Sequence, residues 1–289
     1  MSGIATNRTN ITLPADVSSE ILQKVQAGSK VMQLARQITL PGRGAAINVI
    51  TSDPTATWVG ETDSKTVANP GLTTKVMQAY KLAVIVPFSD EFRRDVASLY
   101  DALIQRLPAA LGEKFDNTVF FGSAPGSNFD TFAAVTGHSI ASDAWAGLCA
   151  AEADISAHGG ILNGIVLAPQ GKSTLLGATD QDKRPLFVTS TQEGAINYVL
   201  GARTEVTKAA YKSGSPSTVG IMGDWSQALY GIVEGVKIDY SSDASLKLAD
   251  DSTLNLFQSN MFAVRAEIEI GFRADTDCFA ALTSNLISG

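Results

Sequence analysis

The segment from Pro87 to Phe121 constrains the fold most, because it predicts one very long amphipathic helix. Ser89 is a suitable N-cap, and Asp90 and Glu91 place negative charge at the positive end of the helix dipole. A helix of about 30 residues would be roughly 45 Å long, well above the usual length in globular domains. This segment alone also fits a long core helix of an ordinary α/β domain. Its apolar residues recur at steps of three and four, which is the spacing of one helix face: Phe92, Val96, Leu99, Tyr100, Leu103, Ile104, Leu107, Leu111, Phe115 and Val119.

Pro108 lies inside this predicted helix. Proline has no N–H to donate and its ring clashes with the preceding turn, so we expect a kink there. Gly112 adds conformational freedom one turn later. If the kink allows this helix to bend during a conformational change of the protein, replacing Pro108 with alanine should alter that conformational change.

Composition excludes several functional classes. The 289 residues carry a net charge of −7, and the lysines and arginines are scattered. Without a basic stripe, tight nucleic-acid binding is not indicated. Cys149 and Cys278 lie far apart, which argues against a disulfide scaffold. No apolar leader or long apolar run is present, so we expect a soluble protein made in a reducing cytoplasm.

Residues 47–86 are predicted to form one long β-hairpin. The outgoing arm contains ATWVGE, the tip is rich in turn formers, and the return arm TKVMQAYKLAVIV alternates in its first part. A two-stranded ribbon of this length is at best marginally stable alone in water. It must therefore lie on its own domain or on a neighbouring subunit. Trp58 and Glu61, near the end of the ribbon, are suitable anchors for a contact between subunits.

The rest of the chain alternates between helix and strand signals. Asp143–Ala157 is predicted to be a helix with Trp145 on its apolar side, and ILNGIVLAP is predicted to be a buried strand. Residues 253–272 contain a long half-buried strand, with Arg265, Glu267 and Glu269 on its solvent face. CFAALT is predicted to be a closing strand. The predicted inward face of the long strand consists of Phe262, Val264, Ala266, Ile268 and Ile270.

No catalytic, cofactor-binding or metal-binding residues emerge. His138 and His158 sit beside glycines in turn-like contexts and are interpreted as surface residues. Two histidines and two dispersed cysteines leave little for a transition-metal site. The GKST sequence at Gly171 lacks the second glycine of a phosphate loop, because Val166 stands at that position. We therefore predict neither an enzyme nor a cofactor.

The order of these features resembles the major capsid proteins of tailed bacteriophages with the HK97-type fold, an α+β architecture. Four stretches carry the resemblance, which covers nearly the whole chain: LPADVSSEILQKVQAGSKVMQLAR, ATWVGE followed by KLAVIVPFSDEFRRD, GDWSQALYGIVEGVKIDYS, and LFQSNMFAVRAEIEIGF with CFAAL. Each stretch is degenerate, and the specificity comes from all four appearing in order. The turn GSAPGSNFD departs from the family pattern.

The resemblance implies an organisation and a set of contacts. Residues 1–46 would be an arm and the helix by which the chain enters the body, and 47–86 an extended loop. Residues 87–160 and 244–272 would form a peripheral domain with the spine helix, and 161–243 and 273–289 an axial domain. One branch of the family joins its subunits by Lys–Asn isopeptide bonds, and Lys65 lies at the predicted hairpin tip. No partner asparagine or catalytic glutamate can be aligned to this chain, so we do not expect such a cross-link. The predicted subunit-interface residues are Trp58, Glu61, Lys65, Tyr80, Arg93 and Arg94.

The function implied by the resemblance is self-assembly into an icosahedral head. Copies would associate as hexamers and pentamers and enclose double-stranded DNA without reading its sequence. A separate scaffolding protein, a portal and decoration proteins would be further partners, with no membrane involved. The chain would belong to the virion and assemble in the host bacterial cytoplasm, with residues 1–10 ordering on assembly.

Two alternatives stay open at this point. An encapsulin-type nanocompartment shares the fold and would hold cargo enzyme instead of DNA. A monomeric α/β enzyme or ligand-binding domain would pack residues 47–86 on its own body and behave as a single chain of 30.3 kDa.

Overall fold

The computed structural model describes residues 15–42, 44–52, 56–59, 65, 67, 71–95, 97–180, 182–187, 196–248 and 251–284. The predicted N-terminal arm and Glu61 lie outside these residues. The helices are α1 Ala15–Gly28, α2 Lys30–Leu34, α3 Asp90–Asp95, α4 Ala97–Phe121, α5 Ala144–Ala157 and α6 Pro169–Leu176. The strands are β1 Arg36–Thr39, β2 Ala45–Ser52, β3 Gly71–Met77, β4 Tyr80–Ser89, β5 Gly137–Ser139, β6 Gly164–Leu167, β7 Tyr198–Val199, β8 Ala202–Val206, β9 Ser217–Gly223, β10 Ala228–Ile232, β11 Lys237–Ser241, β12 Ser245–Lys247, β13 Thr253–Asn255, β14 Met261–Ala274 and β15 Phe279–Ser284.

The predicted long helix is present as α3 followed by α4, with residue 96 outside the described part. The Ser89 hydroxyl accepts a hydrogen bond from the Phe92 N–H at 3.1 Å, which confirms the predicted N-cap. α4 runs for 25 residues and continues through Pro108. Its buried face packs against β14, where the rings of Phe115 and Phe272 meet edge to face.

The first sheet is built around β14. β4 pairs antiparallel with residues 261–270 of β14 on one side, while β10 and β11 pair with β14 on the other. β1 extends the sheet by pairing parallel with β10. The alternation predicted for the long strand is confirmed, because all five residues of its predicted inward face are buried: Phe262, Val264, Ala266, Ile268 and Ile270.

The second sheet has the strand order β5-β15-β9-β6-β8-β7. α5 packs on it through Leu148 and Ile155, which share a buried cluster with Ile165 and Leu167 of β6. The predicted helix, buried strand and closing strand are all confirmed. Trp145 is an exception, since its side chain is 51% exposed rather than part of the apolar face.

An aromatic cluster joins the two sheets. Phe132 contacts Phe272 of the first sheet and Phe279 of the second, at ring-centroid distances of 5.6 Å and 4.5 Å. Trp225 packs against both Phe132 and Phe279 and donates its indole N–H to the Gly164 carbonyl at 3.1 Å. The two sheets therefore share one continuous core at this point.

The predicted single hairpin over residues 47–86 is wrong in its second half. β2 pairs with β3 from Ala45↔Met77 towards the tip, but the return arm leaves the hairpin after Met77. From Tyr80 onwards the chain is β4, which belongs to the first sheet. Only β2, β3 and the residues between them form the two-stranded element, which we call the ribbon.

The sheet pairings also differ from the predicted domain boundaries. β10 and β11, placed in the axial segment by the prediction, pair with β14 in the first sheet. β5 and α5, placed in the peripheral segment, belong with the second sheet. Among the described helices, none is both long enough and apolar enough to span a membrane.

Candidate subunit interface

The ribbon presents apolar side chains that the described residues of the chain leave uncovered. Trp58 is fully exposed, Val67 is 86% exposed and Val76 on β3 is 44% exposed. Lys65 is exposed as well. Large apolar side chains grouped on one projecting element mark an interaction surface more strongly than single ones scattered over a body.

The base of the ribbon is anchored by Met77, which is completely buried. Gly231 of β10 and Gly271 of β14 are paired directly opposite each other beneath it. A Cβ atom on Gly231 would lie 2.7 Å from the Met77 sulfur, and one on Gly271 would lie 2.6 Å from the Gln78 carbonyl oxygen. The glycine pair therefore opens the space in which the ribbon joins the sheet.

Arg273 holds the same junction through three partners. Its guanidinium donates to the Val76 carbonyl at 2.8 Å, to the Asp130 carboxylate at 2.7 Å and to the Asn128 side-chain oxygen at 3.0 Å. Asp130 also accepts the Ala274 N–H at 3.2 Å. Only 14% of the Arg273 side chain is exposed, so these charge-assisted bonds are shielded from water. The clamp fixes the angle at which the ribbon leaves the body.

The remaining predicted interface residues are not all brought together. Tyr80 lies on β4 in the body rather than on the ribbon, and its ring packs edge to face against Phe129. The predicted place of Tyr80 on the hairpin is therefore wrong, whereas its predicted role in a subunit interface stays a prediction. Arg93 and Arg94 lie on α3, which directly follows β4. Their interface role, like that of Trp58 and Lys65, stays a prediction.

A buried carboxylate connects α4 to the first helices. Asp116 is 1% exposed and accepts hydrogen bonds from the Ser29 hydroxyl at 2.5 Å and from the Lys30 N–H at 2.7 Å. The Val31 N–H donates to the same carboxylate at 3.3 Å. These groups form the N-terminus of α2, so Asp116 caps a helix that is 86 residues distant in sequence.

Burial raises the pKa of Asp116 to about 6, and the hydrogen bonds from Ser29, Lys30 and Val31 oppose part of that rise. Asp116 was not among the residues predicted from the sequence, since an acid in a helix is ordinarily solvated. A signal was nonetheless available. Asp116 stands between Phe115 and Val119 of the apolar stripe, whereas Glu113 and Lys114 fall outside that stripe.

The two residues of the predicted kink have different environments. Pro108 is buried within a continuous helix, and its predicted kink stays a prediction. Gly112 faces α1, where an added Cβ would lie 2.8 Å from the Val25 carbonyl oxygen. Gly28 of α1 makes the reciprocal close approach to Ala109. The structure therefore gives Gly112 a packing role at a helix crossing.

The histidines form a small cluster with Asp154. His138 Nε2 lies 3.0 Å from the Asp154 carboxylate, and His158 Nδ1 lies 2.9 Å from the Asp154 carbonyl oxygen. His138 is only 20% exposed, so it is less of a surface residue than predicted. Within the described part of the chain, no three His, Cys, Asp or Glu side chains come together to hold a metal.

Comparison with known sequences identifies relatives over nearly the full length. A family model described as the phage capsid family matches residues 9–278. A protein of Mycobacterium phage L5 named "Probable major capsid protein gp17" is 30% identical, covering 94% of this chain and 89% of the relative. Its namesake from Mycobacterium phage D29 is 29% identical, covering 96% and 91%.

Solved structures show the same fold. A chain from Mycobacterium phage Ogopogo superposes with a TM-score of 0.73 at 17% sequence identity, covering 89% of this chain and 92% of that chain. Neither the nanocompartment alternative nor the monomeric enzyme alternative gains support from these similarities.

Proposed function

Because the chain belongs to the phage capsid family, we propose that it builds the icosahedral head of a tailed phage as hexamers and pentamers around double-stranded DNA. Its role is structural: it is a capsid protein, a component of the virion that self-assembles into a shell. Beyond this capsid role, we propose that the shell is icosahedral and that it contains double-stranded DNA.

The observation that carries the proposal is the contrast between the two ends of the ribbon. The base is fixed by Met77 and Arg273, while Trp58 near the tip is fully exposed. A tryptophan buries about 150–250 Å² in a contact. At ~25 cal/mol per Å² its burial is worth roughly 4–6 kcal/mol before the entropic costs of association. A rigidly aimed ribbon with such a tip is suited to lie on a neighbouring copy.

The neighbouring copy would receive the ribbon on its α3 and α4. Arg93 and Arg94 lie on α3, and the sequence places Glu61 near Trp58. The ribbon of one copy would thus bring an acid towards arginines of the next. Each such contact is weak alone, but closure of a shell makes later contacts effectively intramolecular and multiplies their effect.

The wider setting follows from the same proposal. The first sheet with α4 would form the peripheral part of each subunit, and the second sheet the axial part around which hexamers and pentamers close. A separate scaffolding protein, a portal and decoration proteins are the further partners that we propose. Assembly would take place in the host bacterial cytoplasm.

The test is assembly of the full chain with and without Trp58. We expect wild-type protein to form uniform shells by light scattering and electron microscopy, and Trp58→Ala to stay unassembled with an unchanged circular dichroism spectrum. Trp58→Phe retains most of the apolar surface and should restore assembly. Trp145→Ala is the control, since Trp145 is half exposed and lies on α5, away from the ribbon.

Two outcomes would contradict the proposal. A wild-type chain that is monomeric under every condition, with and without its neighbouring genes, would overturn the shell itself. Normal assembly of Trp58→Ala would overturn the role of the ribbon and leave the shell intact.

A further inference from the structure

A cleft at the C-terminal end of α4 has a composition unlike the rest of this acidic chain. It encloses about 600 Å³ between the last turns of α4 and the segment that follows β8. Two lysines, Lys114 and Lys212, line it from opposite sides. The remaining polar lining consists of uncharged hydrogen-bonding groups, contributed by Asn117, Thr118, Ser123, Tyr211 and Ser213.

The two lysines are not neutralised by neighbouring acids. No carboxylate lines the cleft, and neither ammonium group is in an ion pair with a described residue. Lys30, Arg265 and Arg273 are paired with carboxylates. The two lysines of the cleft instead line it together without a carboxylate. Two unpaired cations beside hydroxyl and amide groups form a favourable environment for an anion with several acceptor oxygens.

We propose that this cleft binds backbone phosphates of the duplex DNA that the shell encloses, an inference that rests on the proposed function. Lysine, serine, threonine, asparagine and tyrosine side chains are the ordinary contacts of DNA phosphates, and such contacts carry no sequence information. They fit a shell that holds any sequence packaged into it.

The geometry favours the phosphate backbone over exposed bases. A single-stranded site stacks successive bases on free aromatic faces. The one phenylalanine in the cleft, Phe121, has the Lys212 ammonium group 5.9 Å from its ring centroid, so that face is already occupied. The ring of Tyr211 is partly buried against the two hydrophobic clusters of the body. The other apolar lining is Ala209 and the backbone of Gly122, which offer no stacking surface.

Weak binding at each cleft is sufficient for this role. A single subunit with two phosphate-binding lysines would hold DNA loosely and with a strong dependence on salt. Repetition over the inner surface of a closed shell would make the summed attraction large while each contact exchanges rapidly. Lys114 and Lys212 are 98 residues apart in the chain, which explains why no basic stripe is visible in the sequence.

The experiment measures binding of a fluorescein-labelled DNA duplex to the unassembled full chain by anisotropy over a series of salt concentrations. We expect Lys114→Gln and Lys212→Gln each to weaken binding equally for duplexes of different sequence. Each should also reduce the slope of log K against log salt by about 0.9, the value for one phosphate contact. Lys114→Arg and Lys212→Arg should bind as the wild type does. Lys183→Gln, an exposed lysine outside the cleft, makes the same change in net charge and should leave the slope unchanged.

Three results would overturn the proposal. The first is an unchanged salt slope in both glutamine variants. The second is a loss of affinity for a labelled polyglutamate peptide without a loss for DNA, which would assign the cleft to an acidic protein partner. The third is a lower melting temperature with unchanged DNA binding, which would mean that the lysines only neutralise the C-terminal dipole of α4. Because the assay uses unassembled protein, its outcome is separate from whether shells form.

Discussion

The ribbon and the sheet around β14 use the same alternating strand pattern but differ in what surrounds them. β14 has a paired strand on each side and the rings of α4 against one face, so its inward residues are buried. β2 and β3 pair with each other, and Val76 on β3 is 44% exposed. An alternating pattern therefore specifies a strand, whereas its stability depends on what covers it. The inward face of the body is buried within one chain, whereas for the ribbon we propose that a neighbouring copy supplies the cover.

The largest expected effect on stability comes from a substitution in the body that leaves the ribbon unchanged. Phe272→Ala removes a completely buried ring that contacts Phe115, Phe129 and Phe132. Losing a buried phenylalanine should lower the free energy of unfolding by about 3–5 kcal/mol. Val76→Ala on the ribbon should change it by less than about 0.5 kcal/mol. Denaturant unfolding of the unassembled chain measures both, and equal losses would refute the distinction between the two regions.

The next effect concerns the body alone and depends on pH. The folded pKa of Asp116, about 6, lies above the ordinary aspartate value of 3.8, so the native state holds this proton more tightly than the unfolded chain does. The resulting stabilisation is fully present below about pH 4 and is lost as the pH rises through about 6, a difference on the order of 3 kcal/mol.

Asp116→Asn should remove this contribution. Subtracting the stability profile of the variant from that of the wild type between pH 4 and 7 isolates the one group. The difference should decline as the pH rises through this window. A flat difference would show that the carboxylate does not carry the shifted pKa.

A smaller effect tests the junction between the two regions. Arg273→Ala removes the guanidinium donor from the Val76 carbonyl and from the Asp130 carboxylate, which keeps only the Ala274 N–H. This loss should lower the free energy of unfolding by about 1–3 kcal/mol. Amide hydrogen exchange in β3 should accelerate more than exchange in β14, because the base of the ribbon loses its anchor. Arg265→Ala is the control, since its ion pair with Asp239 is exposed and worth at most about 1 kcal/mol. Unchanged exchange in β3 would mean that Met77 alone holds the ribbon.

Local patterns predicted much of this fold because their causes are local. The cap at Ser89, the stripe along α4 and the alternation of β14 each depend on residues a few positions apart. The break in the return arm at Gln78 and Ala79 was not predictable in this way. The alternation continues across the break, with Val76, Tyr80 and Leu82 in the same phase. What separates the two sides is pairing with β14, about 180 residues later along the chain.

The site residues also divide into those that local sequence predicts and those that depend on distant parts of the chain. Trp58 was placed near the tip from the turn formers around it, and its side chain is exposed. Its predicted role in a subunit interface stays a prediction. The placement of Tyr80 was wrong because it depended on the extent of the hairpin. Asp116, Arg273 and the lysines of the cleft were missed, since each acts with residues that only the tertiary fold brings near.

The pairing of β4 with β14 has a mechanical consequence. β4 connects the base of the ribbon directly to α3, and all ten of its residues are in register with β14. A pull on the ribbon along the strand axis would load those hydrogen bonds in shear, so that they share the force and must fail together rather than one after another. In a shell under internal pressure, tension between neighbouring copies would thus pass through the strand pair that is best suited to resist it.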